Sequence, residues 1–175
     1  MKISAKIALS GVMTALSITL LYLGGIMWIF CYIMPQLCAL LMIAVIDAAD
    51  KKTAALVYAA VSIISIFAVS DKETVLTYIF FFGFYPIIRD NLMKIKSKWL
   101  SLIVRFIIFN AGIIASQLIL VYVFGIPFDE FLGRWGIVIM LLLANLIFIM
   151  FDRLYYALTF IYMKKIKPKI EKYIK

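Results

Sequence analysis

Histidine is absent from this chain, and acidic residues are scarce, nine Asp and Glu against eighteen Lys and Arg. Without imidazole the usual zinc and haem sites lose their commonest protein ligand, so no metal centre and no cofactor is expected. Cysteine occurs twice, at Cys31 and Cys38. Seven residues apart on one helix, the two would share a face about 10 Å apart along the axis, too far for a disulfide. They read as apolar core residues. Catalytic signatures are missing too: there is no H-E-x-x-H, no G-x-S-x-G, and no pair of acids at helical spacing within one apolar segment. No G-x-x-x-x-G-K-[ST] phosphate loop occurs, so the chain cannot use ATP unaided. No enzymatic activity is expected, and no catalytic residue is assigned.

Charge of either sign is also thin. Charged residues make up 15% of the chain and hydrophobic ones 66%, with a mean hydropathy of +1.10. A soluble domain carries charge on about a quarter of its residues to face water. The fold class expected is therefore all-α, a polytopic membrane protein forming a single domain. The net charge of +9 does not point to nucleic acid, since no soluble domain exists to carry such a site. Anionic lipid headgroups of the bilayer are the expected partners of the basic segments.

Six apolar segments succeed one another, at about 6–27, 30–46, 53–69, 74–88, 99–124 and 135–163, with a basic tail at 164–175. The first begins after Lys2 and Lys6 but is too long for a signal-peptide core, so it reads as a retained transmembrane helix. Gly24-Gly25 precedes Trp28, Phe30 and Tyr32, aromatics suited to the headgroup level. Ser70 or Asp71 is placed to cap the fourth segment, and Pro86 is expected to end or kink it. Gly125-Ile126-Pro127 stops the fifth.

With six crossings, fourteen basic residues fall on one side: Lys2, Lys6, Lys51, Lys52, Arg89, Lys94, Lys96, Lys98 and the six tail lysines. Only Lys72 and Arg134 fall on the other, while Arg105 and Arg153 lie within segments. This split is a positive-inside signal and predicts a multi-pass protein of the cell membrane with both termini cytoplasmic.

Polar residues inside the segments are the functional candidates, because each is costly there. Arg105, Asp152 and Arg153 lie in the inner third, where Asp152 is placed to pair with Arg105 while Arg153 snorkels to the headgroups. Asn110 and Asn145, near mid-depth, are candidates for ligand binding or for hydrogen-bonded glue between helices. Trp28, Tyr32, Gln36, Tyr78 and Gln117 lie in the outer half. They outline an aromatic cup with amide groups that suits a small, largely neutral ligand, the bland alternative being an interfacial aromatic belt. Ala8, Gly11 and Ala15 form a small-residue stripe on the first helix that would let another helix approach closely. No internal repeat marks a transporter that works alone.

In its length, its six helices with both ends inside, and the opening Lys6-Ile7-Ala8-Leu9-Ser10-Gly11-Val12-Met13-Thr14-Ala15-Leu16-Ser17, the chain resembles the substrate-binding membrane subunits (S components) of energy-coupling factor transporters. Its Phe80-Phe81-Phe82-Gly83-Phe84-Tyr85-Pro86-Ile87-Ile88 stretch also looks like one shared by small membrane proteins of Gram-positive bacteria. The first resemblance implies capture of a vitamin-like or other micronutrient ligand from outside. A coupling membrane subunit docking on Gly11 and Ala15, and ATPases, would supply the rest of the cycle. The rival expectation is a membrane scaffold without a small-molecule ligand. A lipid-processing enzyme relying on Asp152 stands third.

Overall fold

The structure, a computed structural model, describes residues 3–26, 30–126 and 136–168. It is all-helical. Helices α1 (Ile3–Gly24), α2 (Phe30–Ala48), α3 (Lys51–Ala68), α4 (Lys72–Thr77), α5 (Tyr85–Met93), α6 (Lys98–Tyr122) and α7 (Gly136–Ile161) come in that order. A π-helical turn, Tyr78–Phe82, leads from α4 toward α5, and another, Tyr162–Ile166, extends α7. Five of the helices are long and apolar enough to cross a membrane: α1, α2, α3, α6 and α7.

The caps come from the sequence. Asp50 caps α3 by accepting a hydrogen bond from the Thr53 N–H at 2.8 Å. That cap, helped by the Lys6 ammonium, holds the Asp50 carboxyl below its usual range. Asp71 caps α4 through the N–H groups of Glu73 and Thr74, and Ser97 caps α6 through the Leu100 N–H.

The fourth apolar segment departs most from the sequence expectation of one helix at 74–88. The break lies before Pro86, which opens α5 in its first turn, where a missing N–H costs nothing. The Gly83 N–H donates to Tyr78 O at 2.7 Å, five residues back, so the chain carries one extra residue in that turn. The Tyr58 hydroxyl donates to the Ile79 carbonyl at 2.9 Å, supplying a partner that the shifted register takes away. Only glycine fits at position 83, since a Cβ there would lie 2.6 Å from the Tyr58 ring.

Polar contacts show that the chain runs back and forth between two ends of the bundle. At one end Lys6 meets Asp50 at 3.4 Å, Lys51 meets Asp90 at 3.5 Å, and Lys167 meets Asp47 at 2.6 Å. The Ser101 hydroxyl reaches Leu92 O there at 2.8 Å. At the other end the Lys72 ammonium donates to Ile66 O and Val69 O, each at 2.8 Å, closing α3 beside α4. α4, the π turn and α5 together make one traverse, so the described residues pass six times between the two ends.

Two apolar clusters fill the bundle. Leu21, Cys38, Met42, Val57, Val61 and Tyr78 lock α1, α2 and α3 against the fourth traverse. Ala39, Ile43, Phe81, Phe82, Tyr85, Phe109, Phe148 and Phe151 join α2 and the fourth traverse to α6 and α7. The second is largely aromatic: Phe109 stacks on Phe148 at 4.7 Å, and Phe81 meets Phe109 edge-on at 4.9 Å. α2 and the broken traverse belong to both clusters. They form the wall between the two halves.

Candidate functional site

Three polar groupings stand out, one near each end of the bundle and one between α6 and α7. The first surrounds Asp152 on α7. Its carboxylate accepts hydrogen bonds from the Tyr85 hydroxyl at 2.6 Å, from Arg89 Nε at 3.1 Å, and from Arg105 Nη1. Arg89 and Arg105 are both buried, and the Arg89 guanidinium lies 4.8 Å over the Tyr155 ring. The pair expected between Asp152 and Arg105 is made, and Arg153 is exposed. The structure corrects the expectation that Arg89 is a loop charge. α5 runs on to Met93, so Arg89 sits inside a helix with its side chain turned to α7. Two cations converge on one anion here.

The second grouping joins Asn110 on α6 to Asn145 on α7. Each amide donates to the other's carbonyl oxygen, at 2.8 and 2.9 Å. Each also donates to its own helix four residues back, Asn110 to Phe106 O at 2.8 Å and Asn145 to Leu141 O at 2.7 Å. All four N–H donors are thereby engaged, which is the geometry of glue between helices. A double-mutant cycle with Asn110→Leu and Asn145→Leu is expected to give a coupling of about 0.6 kcal/mol, and no more than about 1.7 kcal/mol, for helices packed in a membrane. A coupling near zero by reversible unfolding would refute the pair.

The third lies at the end that holds Lys72. A cleft of about 340 Å³ opens between α2, the fourth traverse, α6 and α7. Most of its wall is apolar, made by Phe82, Phe109, Ile113, Met140, Leu143, Ala144 and Ile147. Polar side chains gather elsewhere on its wall: Tyr32, Gln36, Thr77, Ser116 and Gln117. A second hollow of about 540 Å³ shares Tyr32, Gln36 and Ile147 with it and continues between α2 and α7 along Ile33, Met150, Phe151 and Leu154.

Glu73 ties this rim together. The Tyr32 hydroxyl donates to its Oε1, and so does Gln117 Nε2 at 3.2 Å. Glu73 does not itself line the cleft; it is tied to it through Tyr32 and Gln117, which do, and lies one helical turn before Thr77. Gln36 makes no hydrogen bond among the described residues, which leaves its amide for something else.

The structure thus gathers Tyr32, Gln36 and Gln117, as the sequence suggested, and adds Glu73, which in the sequence belongs to a polar turn. An acid just after the N-cap of a helix, at the depth expected for Tyr32 and Gln117, was the signal available. Tyr78 does not join the cleft. It is fully buried in the first apolar cluster beside Tyr58, 6.1 Å away, and its hydroxyl has no hydrogen-bond partner among the described residues. Trp28 lies outside the described residues. Ala8, Gly11 and Ala15 all lie on an exposed face of α1, and a Cβ on Gly11 would meet nothing within 4 Å. Among the described residues no group of His, Cys, Asp and Glu is arranged to hold a metal.

The chain matches no protein-family model, no curated protein and no solved structure.

Proposed function

We propose that this chain is a membrane-embedded ligand-binding subunit for uptake of a small molecule, working with a coupling membrane subunit and ATPases that it does not itself contain. The observation that carries this reading is the cleft whose apolar body ends in Tyr32, Gln36 and Gln117, with Glu73 behind them. A concave, mostly apolar site with a few convergent polar groups is the usual form of a small-molecule site. The six traverses are taken as six membrane crossings, α4 to α5 being a broken one. Discontinuous helices of this kind border substrate sites in membrane transport proteins. The lysine-rich end then faces the cytoplasm under the positive-inside rule, and the cleft opens toward the outer side. The exposed face of Ala8, Gly11 and Ala15 is assigned to the coupling subunit, since small residues let a second helix approach closely.

The test is mass spectrometry of small molecules carried through gentle purification, comparing the native chain with Gln117→Ala. A stoichiometric compound in the native chain, held roughly tenfold more weakly by the variant, is expected from the loss of about 1 kcal/mol or somewhat more of hydrogen bonding. An empty native protein that instead retains another membrane subunit would replace this reading with that of a scaffold.

A further inference from the structure

The chemistry of the cleft narrows its occupant. Resting on the reading of the cleft as a ligand site, we propose that it takes a single-chain amphiphile with a cationic amine head, admitted sideways between α2 and α7.

The head is set by the surplus of acceptors at the rim. Among the described residues only neutral groups, Tyr32 and Gln117, donate to the Glu73 carboxyl group. None of the ion pairs among the described residues includes Glu73. The neighbouring Lys72 points its ammonium at the carbonyl groups of Ile66 and Val69. With the Gln117 amide nitrogen engaged on Glu73, its carbonyl oxygen is left as a further acceptor, and Gln36 supplies another. A primary ammonium brings three donors and the missing charge.

The tail is set by what lies deeper. The Ser116 hydroxyl is committed to Gly112 O at 2.8 Å and Leu76 O at 3.2 Å. Thr77 Oγ1 is committed to Glu73 O at 2.7 Å. Beyond them Phe82, Phe109 and Ile113 offer no polar atom, so a polar ligand body would be buried without partners, at a cost of about 1–3 kcal/mol for each group. A hydrocarbon chain meets no such cost.

The route is set by the continuity of the two hollows. Tyr32, Gln36 and Ile147 line both, and the groove runs out past Ile33, Met150 and Leu154, which are 41%, 66% and 48% exposed. In a bilayer those faces meet acyl chains, and a tail passing between α2 and α7 never enters water.

The test is photolabelling in lipid nanodiscs with an alkylamine carrying a diazirine in its chain, against the alkyl carboxylate of the same length, with peptide mapping of the products. Labelling of α2 and α7 several-fold stronger with the amine is expected, and Glu73→Gln, which keeps both hydrogen bonds at the rim, is expected to abolish that preference. Met150→Trp fills the groove away from the rim and is expected to reduce labelling by both probes alike. Equal labelling by amine and carboxylate, or an amine preference that survives Glu73→Gln, overturns the proposal. A stoichiometric water-soluble compound, released by Gln117→Ala, would overturn it while upholding the ligand-binding subunit. Neither a bound compound nor specific labelling would overturn both.

Discussion

Asp152→Asn is expected to destabilise the folded chain by about 3–5 kcal/mol, the usual consequence of removing one partner from a buried ion pair. The reason is an imbalance. Arg89 and Arg105 are both buried, and Asp152 is the carboxylate that each of them meets. Asparagine keeps the shape but leaves two guanidinium charges uncompensated between α5, α6 and α7. Arg89→Met should cost distinctly less, because it leaves Arg105 and Asp152 as a neutral pair and the cavity is filled by an apolar chain of similar length. Thermal unfolding in detergent, monitored by tryptophan fluorescence, measures both variants. If Arg89→Met proves as damaging as Asp152→Asn, the charge-imbalance account is wrong, and Arg89 matters through its packing on Tyr155.

Gly112→Ala is the second large effect, through backbone contact. A Cβ at that position would lie 2.4 Å from the Phe80 carbonyl oxygen and 3.2 Å from its carbon. Both atoms belong to the π-helical turn, which cannot withdraw as a flexible side-chain tip would. α6 must therefore move away from the fourth traverse, at a cost of about 1–3 kcal/mol for overpacking. The shift reaches the site as well, since Phe109, Ile113, Ser116 and Gln117 on the same helix line the cleft. A loss of stability together with weakened ligand retention is the expected pair of results. Gly11→Ala is the control. With nothing within 4 Å of the added methyl, it should be neutral or stabilising by up to about 1 kcal/mol from helix propensity. Equal behaviour of the two glycine variants would show that α6 does not pack where the structure puts it.

The contrast between these glycines shows where sequence reading stops. The stripe on α1, with Gly11 and Ala15, is conspicuous as a pattern, yet its face is open within the chain. Gly112 and Ser116 have the same spacing on α6, and there the backbone of another element does come close. A spacing motif states that an approach is possible. It does not say which helix makes it.

Composition and order of residues were enough for the all-helical class, the long apolar segments and the separation of basic residues to one end. These are sums over local stretches, and no neighbour can change them. The same reading brought Asp152 to Arg105 and Asn110 to Asn145, because so few polar groups lie within the apolar segments that their partners are nearly forced by depth. Tertiary packing decided everything that depends on helical phase. The extra residue in the turn at Tyr78–Phe82 rotates the next helix by roughly 100°, so Tyr78 faces the first apolar cluster while Phe81, Phe82 and Tyr85 face the second. The same break lets Arg89 reach Asp152, while Tyr32 and Gln117 meet on Glu73 of α4. A one-residue change of register is invisible to hydropathy, because it alters the direction of side chains and leaves their depth almost unchanged.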